Sequence, residues 1–216
     1  MRNSSCFFPY NMTVPSDLSK SKRRVPQQDR GERRVAEVLD AASAVIAEVG
    51  YDAATMTEIA ERAGASIGAL YQYFPNKEAI ARALRQQYGD EMEARWAPLK
   101  GQGARLSIKD LVDRFFDLMT DFMNNRPAYI PLQSAPRNCR RDPAARNRLR
   151  ELFATLFREK RPELTPEAAL RIANVTVQVV KAMNPLYAEA NPGEREEIVR
   201  EFKLLLASYL SARLRA

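Results

Sequence analysis

Between Gly50 and Lys77 the chain reads GYDAATMTEIAERAGASIGALYQYFPNK, and its reactive-looking groups are spaced for hydrogen bonding rather than for bond making. Thr55 and Glu58 form a T-x-x-E capping box, in which hydroxyl and carboxylate satisfy each other's free backbone N–H groups at a helix start. Met56, Ile59, Ala60 and Ala63 follow at helical spacing, and Gly64 supplies the left-handed residue a short turn needs. Ser66 can cap the next helix, in which Leu70 and Phe74, four apart, share the buried side. That turns Gly68, Ala69 and Gln72 outward, with Tyr71 and Tyr73 on the flanks. Pro75 ends the helix, and Asn76 can cap a third. Two short helices joined by a tight glycine turn have the shape that enters a groove of duplex DNA.

The pattern T-x-x-x-I-A-x-x-A-G-x-S-x-G-x-L-Y-x-Y-F-x-N-K resembles the DNA-binding signature of the tetracycline-repressor (TetR/AcrR) family, over about Arg33 to Tyr88. The resemblance implies phosphate contacts at the start of the first short helix, here Thr55, Met56 and Thr57. It implies base reading by Ser66, Ile67, Gly68, Ala69 and Gln72, and phosphate contacts at Tyr71, Tyr73 and Lys77. Family members commonly carry a polar or basic side chain where this chain has Ile67. Ile67, Gly68 and Ala69 together offer few hydrogen bonds to base edges, so thymine methyls at the centre of each half-site are expected, read also through DNA shape.

Composition removes several alternatives. The chain has 216 residues, 45% of them hydrophobic, enough for a sizeable core in one or two domains. Histidine is absent, which removes the usual general base, the usual catalytic triads and most zinc sites. No catalytic or metal site and no cofactor is expected. Cys6 and Cys139 make no disulfide framework, no apolar run is long enough to span a membrane, and residues 1 to 12 lack the order of a signal peptide. A cytoplasmic, reduced protein is expected.

The net charge is +7, but residues 35 to 88 hold four Lys/Arg against seven Asp/Glu. Residues 1 to 34 hold eight against three. Unless Lys77, Arg62, Arg82 and Arg85 share a face, attraction to phosphate must lean on the N-terminal arm and on helix N-termini. The arm, residues 1–32, is rich in Ser, Pro, Asn and Gln and reads as a flexible tail. Its cluster Lys20, Lys22, Arg23 and Arg24 either lies along DNA or belongs to a solvated leader.

The elements that must hold the pair of short helices read as all-α. Val35, Val38, Leu39, Ala42, Val45, Ile46 and Val49 mark one amphipathic helix, ended by Gly50, which completes a three-helix head over residues 33–77. The remainder, residues 78–216, should be a helical ligand-binding and dimerisation domain. A long helix runs from Asn76 to Trp96; Ser107 and Asp110 open another, apolar on several sides. Asp142 with Pro143, and Thr165 with Pro166, start two more, the second kinked or ended by Pro185, and a last helix covers Glu194 to Leu214.

The last two helices carry surplus apolar residues, among them Val175, Val179, Ile198, Phe202, Leu205 and Tyr209, which either complete a monomer core or meet a second copy. Family resemblance implies the latter, a homodimer through a four-helix interface on a palindromic double-stranded operator. Trp96, Phe115, Met119, Phe122, Tyr129, Met183 and Tyr187, with Asn174 or Gln178 to orient a polar group, could line a small-molecule chamber, or be plain core and surface. The resemblance implies a repressor whose unidentified effector respaces the two heads and so releases DNA. The alternative is a DNA-binding or partner-binding protein without an effector, told apart by whether any compound changes its DNA affinity.

Overall fold

The computed structural model describes residues 27–136 and 143–215. Among these there are eight helices and no strand: α1 (Gln27–Ala53), α2 (Met56–Arg62), α3 (Ile67–Tyr73), α4 (Lys77–Trp96), α5 (Ile108–Asn125), α6 (Pro143–Lys160), α7 (Pro166–Glu189) and α8 (Pro192–Leu214). Two single 3₁₀ turns, Ala97–Leu99 and Pro131–Ser134, join the longer elements. The architecture is all-α, a three-helix head followed by a helical body. Arg23 and Arg24, the rest of the basic cluster, both cysteines and Asp142 lie outside the described residues.

Local chemistry sets most of the boundaries. Side chains of Thr55, Ser66, Asn76, Ser107, Thr165 and Asn191 accept a hydrogen bond from the N–H three residues on, each satisfying an otherwise orphaned donor. Gly50, at φ 82° and ψ 163°, interrupts α1, so that Tyr51–Ala53 form a separate short turn. Two expectations need correcting. Helix α1 begins at Gln27, six residues before Arg33: its first turns carry no apolar residue to reveal them, and Gly31 among them does not stop the helix. Helix α7 does not end at Pro185 but continues to Glu189. The proline removes one rung of the ladder at an exposed position, where water can replace it.

One continuous core runs through head and body. In the head, Val38, Ala42 and Ile46 of α1 meet Ile59 of α2, Leu70 of α3 and Ile80 and Leu84 of α4. In the body α7 packs between α6 and α8, and α5 packs on α8. Helix α4 belongs to both parts, touching α1 at one end and α5 and α6 at the other. Its last residue, Trp96, sits in an aromatic cluster: its ring lies 5.1 Å from that of Phe153, which stacks on Phe115 at 4.4 Å and 25°. Glu159 of α6 pins the loop before α5, accepting the N–H groups of Gly101 at 3.0 Å and Gly103 at 2.9 Å.

Candidate DNA interface and ligand chamber

The α2–turn–α3 unit is built as its residues suggest. Glu58 accepts the Thr55 N–H at 2.9 Å and the Thr55 hydroxyl at 2.8 Å, and donates its own N–H to Thr55 Oγ1 at 3.2 Å. The Thr55 hydroxyl, and then its N–H, hold the Glu58 carboxyl below the usual carboxylate range. Gly64 takes φ 57°, and the turn closes through Ala65 N–H to Ala60 O at 2.9 Å. From α1, Arg34 donates to Ala63 O at 3.3 Å and Gly64 O at 3.0 Å, so the turn is clamped to the helix behind it.

This places the residues expected to read DNA as follows. Ser66, Ile67, Gly68, Gln72, Tyr71 and Tyr73 are exposed, Ala69 is half-buried, and Leu70 and Phe74 are buried. Tyr71 at 51% and Tyr73 at 41% exposure stand on the surface rather than beneath the helix. On α2, Thr57 is exposed, Met56 packs against the core, and the single proton of the Thr55 hydroxyl is committed to Glu58.

The cations behave differently from expectation. Lys77 does not reach outward: its ammonium donates to Tyr51 O at 2.8 Å, Asp52 O at 3.0 Å and Ala54 O at 2.8 Å, and lies 4.6 Å from the centre of the Tyr51 ring. Three N–H bonds exhaust an ammonium. Arg62 is paired bidentately with Glu48 at 2.8 and 2.6 Å, and Arg85 binds carbonyls of the body. Lys77, Arg62 and Arg85 are therefore engaged within the protein and make no shared basic face with the exposed Arg82. Lys77→Met should lower stability by about 1–3 kcal/mol through the three deserted carbonyls. Calorimetric melting checks it: an unchanged midpoint, with a salt slope of DNA binding reduced by about one, would restore Lys77 as a phosphate contact.

Behind the head a cavity of about 840 Å³ opens between α4, α7 and the 131–136 segment. Of the residues proposed from sequence, Trp96, Met119, Tyr129 and Gln178 line it. Phe115, Phe122 and Met183 do not: they are fully buried in the surrounding core. Asn174 and Tyr187 also fall outside the wall; the Tyr187 hydroxyl bonds Asn124 Oδ1 at 3.2 Å and its ring carries Arg195. Sequence reasoning missed Tyr88 and Met92, which repeat every four residues with Trp96 along α4, and Val177, Val180 and Asn184, which repeat along α7. That shared spacing was the available signal.

Two groups in the wall tie it to the head. Tyr88 Oη lies 2.7 Å from Ser43 Oγ on α1, while burial pushes its phenol above the ordinary value and keeps it protonated. Arg85 donates to the carbonyls of Leu132 at 2.7 Å, Ala135 at 3.0 Å, Pro136 at 3.2 Å and Gln133 at 3.4 Å. The 3₁₀ turn Pro131–Ser134 also rests on α1.

On α7 and α8, Val175 and Leu205 are exposed, as are Leu170 and Leu204, the last at 62%. Val179, Ile198, Phe202 and Tyr209 are half-buried against the protein's own core, Phe202 beside Phe116. The expected interface residues thus divide between exposed apolar side chains and side chains half-buried against the core.

An exposed second helix of a helix-turn-helix, carried by a head whose α4 runs into a hollow helical body, is the arrangement of a DNA-binding protein with a second helical domain. Residues 38–84 match the family model for bacterial regulatory proteins of the TetR family, and residues 107–210 the model for the tetracycline repressor-like C-terminal domain. The chain belongs to the TetR family, whose members are DNA-binding regulators and not enzymes. It is similar to the HTH-type transcriptional activator FasR of Mycolicibacterium smegmatis, 38% identical over 107 residues, 49% of this chain and 47% of that protein. The match thus spans about half the length of that relative. It is 29% identical over 152 residues to the HTH-type transcriptional regulator BetI of Cronobacter sakazakii, 68% of this chain and 75% of that one. A TetR-family regulator from Streptomyces coelicolor superposes with TM-score 0.66 at 26% identity, covering 84% of this chain and 99% of that one. Among the described residues no helix is long and apolar enough to cross a membrane.

Proposed function

We propose that the protein is a homodimeric repressor that binds a palindromic operator through α3 and leaves it when a small molecule occupies the body cavity. The observation that carries this reading is the continuity of α4: its first turn closes the head, and its Tyr88, Met92 and Trp96 form one wall of the cavity. A molecule that fits better when α4 is displaced must, by linkage, favour the DNA-free arrangement. The exposed apolar side chains Leu170, Val175, Leu204 and Leu205 of α7 and α8 suit an isologous contact with a second copy, which sets two α3 helices for successive major grooves. The site of action is then the cytoplasm, where the operator is.

Selection of genomic fragments retained by the protein, followed by mobility-shift titration with candidate small molecules, tests the proposal. Release of the fragment by a compound is the expected result; a fragment never released by any compound would favour a regulator without an effector. Activation rather than repression would show as reduced transcription in a deletion strain. The same selected fragments check base reading: Ile67, Gly68 and Ala69 can contact thymine methyls but cannot pair bidentately with guanine. Footprints should show thymines at the centre of each half-site, and guanine-dominated half-sites without them would refute it.

A further inference from the structure

Residues 27–88 hold seven Lys/Arg, and most of them are occupied inside the protein. Arg34 donates to the α2–α3 turn, Arg62 to Glu48, Lys77 to three carbonyls and Arg85 to the 131–136 segment. Arg82, three residues before Arg85, lies on the side of α4 that carries Arg85 to that segment. Arg30 and Arg33 remain: both are exposed, and no group among the described residues pairs with either.

Their part of α1 runs alongside α3. Arg34 bonds Ala63 O and Gly64 O in the turn that leads into α3, while Gly31, Glu32 and Val35 share a shallow hollow with Tyr73, the last residue of α3. One short stretch of α1 therefore touches both ends of α3. Arg30 stands one turn before Arg34, about 6 Å along the axis, and Arg33 is its neighbour at i+3. No residue from Arg30 to Glu37 is buried, so packing contributes little to holding these turns. The nearby carboxylates do not cancel the two charges: Glu37 is bound to Arg34 at 2.6 Å, and Glu32 belongs to the hollow beside Tyr73.

We propose that Arg30 and Arg33 form a phosphate clamp on the strand that borders the groove entered by α3. The major groove is about 12 Å wide, room for one helix, so a second helix beside α3 meets the groove's phosphate edge and not the bases. Such contacts add affinity and fix register without reading sequence. The clamp rests on the reading of α3 as the groove helix, and it supplies cations that Lys77 and Arg62 withhold.

Phosphate contacts need no operator, so the full chain can be tested on an end-labelled random-sequence duplex of about 30 base pairs, by fluorescence anisotropy between about 50 and 200 mM salt. Arg30→Gln and Arg33→Gln keep a good helix former at exposed positions, and their circular dichroism should match the wild type. Each should lower the slope of log affinity against log salt by about one per bound protomer, and the double variant by about two. Arg30→Lys should keep the wild-type slope, since a point charge is enough for a phosphate, and Arg82→Gln should keep it as well. Should one glutamine variant fail to fold, the other decides alone. An unchanged slope in the glutamine variants, or an equal drop in Arg82→Gln, would overturn the clamp while leaving duplex binding in place. Wild-type protein that ignores the duplex at about 50 mM salt would instead overturn the DNA reading itself.

Discussion

Replacing Ile67 with aspartate should reduce DNA affinity by at least about 100-fold near physiological salt while leaving the fold intact, because the new charge meets phosphate and not the core. Ile67 is exposed at the first position of α3, and no core residue depends on it. An acidic residue in a first helical turn favours the helix, so thermal stability should hold or rise slightly. The loss is large because the head has little positive charge to offset it: Arg62 is held by Glu48, and Lys77 by three backbone carbonyls. Mobility-shift titration of the variant against the selected operator, with a melting curve of the same preparation, measures both terms. Affinity within threefold of wild type would mean that the start of α3 does not face the duplex.

Phe153→Ala should cost about 3–5 kcal/mol, the range for deleting a fully buried aromatic ring from a packed core. The ring is buried at 0% exposure on α6 and touches three others, Phe115 at 4.4 Å, Trp96 at 5.1 Å and Phe157 at 6.4 Å between centroids. Aromatic pairs of this geometry add to simple burial, so deleting the ring forfeits its contacts with Phe115 and Trp96 as well as its buried area. Denaturant unfolding followed by Trp96 emission reads the change at the site of the cavity. A cost below about 1 kcal/mol would show that the neighbouring helices collapse into the gap.

The head was legible because its signals are local. Thr55 with Glu58, Gly64, Ser66 and Asn76 act within four residues of themselves, and each ends or starts the element its chemistry favours. The body was legible as helices but not as walls and filling. Phe115, Phe122 and Met183 share the composition of Trp96 and Met119, and only the meeting of α4, α5 and α7 decides which of them faces a hollow. Lys77 misled for a related reason: its partners lie between 23 and 26 residues earlier in the chain, brought there by the kink at Gly50. The start of α1 was hidden because backbone hydrogen bonds along a polar segment leave no periodic trace.

Residues 131–136 would ordinarily be classed as a connection, the sort of place where evolution adds and deletes freely. Here four carbonyl acceptors, those of Leu132, Gln133, Ala135 and Pro136, are claimed by one guanidinium, that of Arg85, and the same few residues lean on α1. The segment is therefore a keystone: a single inserted amino acid would throw its oxygens out of step with that side chain and unseat two helices at once.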